Sequence, residues 1–244
     1  DERTETFPAQ VPTPNDIGVR GVLEDPDSFS FFISKTLPGG TAYLSHVLHM
    51  VSECVKQGAK IINMSYTHGS GYSTSKISEE FHRYIYENHD VLFIAAAGNT
   101  GYMDTQYPAS YPEIMSVAMV DRSERRGNKS TYNDQVEITA PGVYVYSTVP
   151  YNYDDDRYNF YYNKYTSMTG TSMAAPHVAG VAAKIWSHFP ECTNVQIRNA
   201  LNRAARLTPY QDSCDMYYGH GIVDAEACFS GFFAFSGQFF LSTS

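Results

Sequence analysis

Apolar positions along the chain fall into short uninterrupted runs, separated by longer stretches of helical spacing. The runs Ser30–Ser34, Lys60–Ser65, Val91–Ala96, Ile114–Val120, Val136–Thr139 and Val143–Val149 read as strands. After the first of these, Leu44, Val47, Leu48, Val51 and Val55 recur at spacings of three and four, which predicts a helix ended by Gly58. A second helix fits Ile77–Glu87, with Ile77, Phe81, Tyr84 and Ile85 facing inward. A long helix is expected to start at or near Ser172, with Pro176 inside its first turn or so, where proline is tolerated. Another spans roughly Val195–Ala205, with Ile197, Leu201 and Ala204 on one face. Strands alternating with helices predict an α/β domain whose mostly parallel central sheet is flanked by helices.

Composition narrows the picture. With 244 residues, 43% of them hydrophobic, the chain can bury one sizeable core, and one domain is expected. A formal net charge of -9 argues against nucleic acid or an anionic membrane surface as a partner, since both need a basic face. The longest apolar runs, such as Val91–Ala97, are too short to span a bilayer. The start, Asp1-Glu2-Arg3-Thr4, carries no signal-peptide pattern. Cys54, Cys192, Cys214 and Cys228 form no C-x-x-C pair, so a zinc site is not expected. Of their three pairings, Cys192 with Cys214 is favoured because it would staple the loop after a helix; free or buried thiols stay open as the alternative.

Three stretches stand apart. Tyr151–Tyr165, with Asp154, Asp155 and Asp156, reads as an exposed loop whose adjacent carboxylates repel one another and are solvated. Residues 229–244 form a phenylalanine-rich tail without a clean period. Asn128-Lys129-Ser130 is a glycosylation acceptor triplet, a pattern common by chance.

Candidate chemistry centres on Gly170-Thr171-Ser172, which precedes an alanine-rich helix. A serine at a helix N-terminus meets unpaired N–H groups and the positive end of the dipole, both of which favour developing negative charge. Ala95-Ala96-Ala97-Gly98-Asn99 leaves a buried strand and ends in an amide, a suitable second donor. Ile61-Ile62-Asn63-Met64-Ser65-Tyr66 runs out at the same expected sheet edge, where open α/β sheets bind their ligands. Singly, Ser172 could be a helix cap, Asn99 a turn residue, and Asn63–Ser65 part of a core strand.

As an ordered set, these segments resemble the subtilisin-like serine proteases, or subtilases, from about Asn15 to Ala227. Gly170-Thr171-Ser172-Met173-Ala174-Ala175-Pro176-His177-Val178-Ala179-Gly180 matches the nucleophile segment, Asn63-Met64-Ser65-Tyr66 the substrate strand, and Ala96-Ala97-Gly98-Asn99 the oxyanion segment. Tyr107–Pro112, Thr139–Val143 and Tyr218–Ala225 follow in the family's order. The resemblance implies a three-layer subtilisin-like fold over residues 15–228, after a non-matching segment 1–14 and before the tail 229–244. It implies a serine endopeptidase acting on polypeptides, secreted, made with a propeptide, and needing no cofactor for its chemistry. Ser172 would be the nucleophile, and Asn99 would donate to the oxyanion together with the Ser172 backbone N–H. Ser65, Tyr66 and Thr67 would pair with substrate as an added strand and, with Ala97 and Gly98, line the pocket for the side chain before the scissile bond. The family commonly has glycine where Thr67 stands, which bears on that pocket's width. A structural calcium is also implied, through the Asn15 side chain and the carbonyls of Thr13, Ile17 and Val19.

The family's catalytic Asp and His precede this region, in Asp-x-Gly and His-Gly-Thr-His stretches, whereas residues 1–14 contain no histidine. The expectation is an N-terminally incomplete domain, missing a strand and a helix and nearly inert alone. In subtilisin itself, loss of the histidine costs about 2 × 10⁶ in kcat. An open sheet edge and exposed core surface would then call for a partner or the missing segment. His177 would lie about 140° around the helix from Ser172 and is expected to be structural. His68 is the one other histidine near the substrate strand. A non-catalytic homologue that binds extended peptides is the alternative. A lipase elbow or a dinucleotide site is disfavoured, because neither Gly-x-Ser-x-Gly nor a complete Gly-x-Gly-x-x-Gly occurs at these segments.

Overall fold

Strands β4 (Leu92–Ala96) and β5 (Ile114–Val120) are buried along their whole length, which is why their sequences are unbroken apolar runs. In the computed structural model they form the middle of a four-stranded parallel sheet of order β3-β4-β5-β6, with β3 at Ile61–Met64 and β6 at Val136–Pro141. The structure describes residues 5–8 (backbone only), 19, 21–23, 29–34, 43–68, 75–149 and 165–228.

Successive strand residues point to opposite faces, so the sheet buries two cores. On one face Leu92, Ile94, Met115, Val117, Met119 and Ile138 pack against helices α3 (Thr171–His188) and α4 (Asn194–Ala204). On the other, Ile62, Met64, Phe93, Ala95 and Ile114 meet α1 (Leu44–Lys56) and α2 (Lys76–Asn88). The result is the expected three-layer α/β arrangement. Helix ends follow local chemistry. Gly58, at φ +80, lets the chain turn out of α1. Ser75 caps α2 by accepting the Ser78 N–H, and Thr193 with Gln196 forms a capping box on α4. Arg198 on α4 donates to both carboxylate oxygens of Glu137 on β6 and to the Pro112 carbonyl, tying α4 to the sheet.

Several expectations need correction. The strand read at Ser30–Ser34 is β2 (Ser30–Ile33), but it pairs antiparallel with β1 (Glu5–Pro8) in a separate two-stranded sheet. The run Val143–Val149 holds β7 (Val145–Thr148), which pairs antiparallel with β8 (Tyr165–Met168), so Tyr165 is strand rather than loop. On α2 the inward face is Ser78, His82 and Ile85, whereas Ile77 and Tyr84 are exposed. The cause is His82. Its Nδ1–H donates to the Ser78 carbonyl, and its ring packs edge-on to Phe93 and stacks on Tyr111. Burial lowers its pKa to about 4, so at neutral pH it packs as an uncharged aromatic. All four cysteines are free, Cys192 and Cys214 included. Cys192 packs against the first core, while Cys214 is exposed in a turn braced by Gln211, whose amide donates to the Ser213 and Gly219 carbonyls. Hydrogen bonds, not a disulfide, fasten the chain after α4. Among the described residues no helix is long and apolar enough to cross a membrane.

Candidate active site

Strand β4 ends at Ala96, and Ala97-Gly98-Asn99 leaves the sheet at its carboxyl edge, beside the N-terminus of α3. Gly98 sits at φ +109, and a Cβ there would lie 2.7 Å from Gln106 Cγ and 2.8 Å from Thr131 Oγ1. Only glycine fits. Its N–H donates to Thr171 Oγ1, which is fully buried. The Asn99 carboxamide is held from the same residue: Oδ1 accepts the Thr171 N–H at 2.9 Å and the Thr171 hydroxyl at 3.3 Å. With its oxygen turned to Thr171, Asn99 keeps Nδ2 without a partner among the described residues, and the residue is exposed.

Gly170 precedes α3 in an extended conformation, and the Met173 N–H returns to its carbonyl. The Ser172 N–H is therefore one of the open donors of the first helical turn. A Cβ built on Gly170 would lie 3.5 Å from Asn99 Nδ2 and 3.7 Å from the Ser172 nitrogen, so both donors border one small space.

The serine side chain is engaged differently. Ser172 Oγ donates to the Ser65 carbonyl at 2.9 Å, and Ser65 Oγ donates back to the Ser172 carbonyl at 2.9 Å. Asn63 Nδ2 donates to Ser65 Oγ, completing the link between β3 and α3. Pro176 explains why that carbonyl is open. Four residues on from Ser172 and beyond the first turn, it has no N–H to close the helical bond, and Ser65 supplies the donor instead. Thus Ser65, Asn99 and Ser172 come together, and Ala97 and Gly98 adjoin them. Thr67 is exposed, while Tyr66 packs against the second core with its hydroxyl buried and unpartnered.

All eight histidines lie among the described residues, and none hydrogen-bonds Ser172. His177 Nδ1 is spent on the Met173 carbonyl one turn back. His68 joins Tyr107 through a two-bond backbone bridge and stacks on its ring, and burial lowers its pKa. Of the calcium set, Thr13, Asn15 and Ile17 lie outside the described residues, and Val19 is exposed. Asp154–Asp156 and the tail 229–244 also lie outside them. No group of three or more His, Cys, Asp or Glu side chains among the described residues could hold a metal. Sequence reasoning missed Thr171 and Thr131, whose hydroxyls reach the Asn99 segment; only the threonine inside Gly-Thr-Ser carried a signal.

A parallel α/β sheet with a serine opening a central helix and an asparagine amide beside it defines a serine-centred α/β site at the carboxyl edge. The chain belongs to the subtilase family, peptidase S8, whose profile matches residues 12–221. It is 38% identical over 211 residues to the thermostable alkaline protease of Halalkalibacterium halodurans, covering 86% of this chain and 53% of that protein. It is 35% identical over 217 residues to subtilisin DY of Bacillus licheniformis, covering 87% of this chain and 72% of the relative. Among solved structures, fervidolysin from Fervidobacterium pennivorans, a keratinolytic enzyme related to subtilisin, superposes with a TM-score of 0.66 at 32% identity, over 77% of this chain and 29% of that one. The chain thus spans about half the length of the first of these relatives.

Proposed function

We propose that this chain is the serine-bearing part of a subtilisin-type endopeptidase, hydrolysing peptide bonds through an acyl-enzyme on Ser172. The observation that carries this reading is the pair of unspent donors, Asn99 Nδ2 and the Ser172 N–H, bordering one space beside the serine. An extended peptide would add as a strand along Ser65, Tyr66 and Thr67, with the side chain before the scissile bond against Ala97 and Gly98. A base would take the Ser172 proton as Oγ attacks the carbonyl carbon, and the two donors would stabilise the oxyanion. As the tetrahedral species collapses, that base would return the proton to the leaving nitrogen so that the amine departs. Water, losing its proton to the base, would then attack the acyl-enzyme, release the acid and restore the hydroxyl.

Secretion, a propeptide and structural calcium belong to this reading as features of the family. The domain is proposed to cover 15–228. This chain by itself is proposed to turn over peptide bonds very slowly, because Ser172 Oγ faces a backbone carbonyl and no histidine. The same observation favours a second reading, a subtilase homologue that binds extended peptides without cleaving them. A fluorophosphonate that labels activated serines separates the two. Labelling at Ser172 that Ser172→Ala abolishes supports the endopeptidase. A folded chain that stays unlabelled while binding peptide supports the second reading.

A further inference from the structure

The Asn99 segment is gripped from a second direction, by a residue that no motif pointed to. Thr131 is fully buried on the chain between β5 and β6, and its backbone N–H donates to the Gly98 carbonyl at 3.0 Å. Its Oγ1 accepts the Thr100 N–H at 3.1 Å and lies 2.9 Å from Thr100 Oγ1. Proton placement follows from Thr100, whose hydroxyl donates to the Tyr102 carbonyl. The Thr131 hydroxyl must then donate to Thr100 Oγ1 while accepting the Thr100 N–H, so both of its functions are used. One residue therefore fixes the peptide groups on either side of Asn99. The grip is itself anchored: Ser130 Oγ accepts the Met119 N–H of β5, and Gly101 N–H donates to the Lys129 carbonyl.

We propose that Thr131 is a positioning residue for the Asn99 amide, holding residues 98–100 so that Nδ2 stays aimed at the space beside Ser172. Thr171 fixes which end of the carboxamide faces outward; Thr131 fixes where the backbone carries it. The proposal rests on the reading of Asn99 as oxyanion donor. A donor set in advance stabilises charge better than one that must be ordered during reaction. Thr131 would therefore act on the rate at saturation and not on ground-state binding.

The test uses the Ser172-dependent cleavage of a peptide p-nitrophenyl ester at alkaline pH, where hydroxide substitutes for a base. Thr131→Val keeps the shape but removes the hydroxyl, and Thr131→Ser restores it. Losing the two hydrogen bonds of this hydroxyl is expected to lower the saturated rate about tenfold with KM nearly unchanged. Thr131→Ser should recover most of the rate, and Thr131→Val should add nothing in an Asn99→Ala background. An equal loss with or without Asn99, or a loss confined to KM, overturns the proposal. Should wild type react no faster than Ser172→Ala, the endopeptidase reading fails separately. Amide hydrogen exchange at Thr100 and Gly101 then decides for Thr131: faster exchange in Thr131→Val, reversed in Thr131→Ser, is expected, and unchanged exchange overturns it.

Discussion

Asn99 and Ser172 stand side by side at the carboxyl edge of the sheet, yet their hydrogen bonds leave opposite functions free. The amide has its acceptor tied to Thr171 and its donor open. The serine has its donor tied to the Ser65 carbonyl, with no histidine bonded to it among the described residues. Stabilising an oxyanion needs only donors held in place, and on the proposed reading the segment after β4 and the start of α3 supply two, Asn99 Nδ2 and the Ser172 N–H. Activating a hydroxyl needs a proton acceptor, and none of the eight histidines hydrogen-bonds Ser172. On the proposed reading these elements hold the donors of a serine-hydrolase site, while no histidine hydrogen-bonds the serine.

The largest expected effect removes one of those donors. Asn99→Ala should slow hydroxide-driven labelling of Ser172 by about 10²- to 10³-fold, a magnitude taken from removal of the corresponding donor in subtilisin itself. Labelling kinetics with intact-mass detection would measure it.

Acid should undermine the layer behind β3 and β4. The His82 pKa is lowered by burial from 6.5 to about 4, so the unfolded chain binds the proton more readily than the folded one between those values. The stabilisation is present above pH 6.5 and falls away as pH drops toward 4, by about 3 kcal/mol in all. Urea titrations at several pH values should show this slope in wild type and a shallower one in His82→Phe.

A smaller effect sharpens the contrast. Ser65→Ala removes the hydroxyl that closes the Ser172 carbonyl but leaves the Ser65 carbonyl that receives Ser172 Oγ. It should cost about 1 kcal/mol of stability by urea titration and change labelling far less than Asn99→Ala. The smallest effect concerns the cysteines. With all four free, a reducing agent should leave the melting temperature unchanged.

Much of this was legible from one dimension. Continuous apolar runs identified β4 and β5 because central parallel strands are buried on both faces. That Ser172 and Asn99 come to the same sheet edge was legible because each ends a local motif at a strand or helix terminus. The phase of α2 was not, because a helical pattern counts histidine as polar whereas His82 is buried between Phe93 and Tyr111. Nor was the antiparallel pairing of β7 with β8, or of β1 with β2, since four-residue strands carry little periodicity. Thr131 and Thr171 escaped because a hydroxyl's role is set by contacts 31 and 72 positions away, which no spacing rule records.

The most direct test of the central claim is the pH profile of fluorophosphonate labelling at Ser172. A prepared oxyanion site without a base predicts slow labelling that rises steadily with hydroxide, shows no inflection in the histidine range, and drops sharply in Asn99→Ala. Fast labelling at neutral pH with an inflection near 6 to 7, where histidine titrates, would contradict it, because it would mean that a histidine already activates Ser172 in this chain.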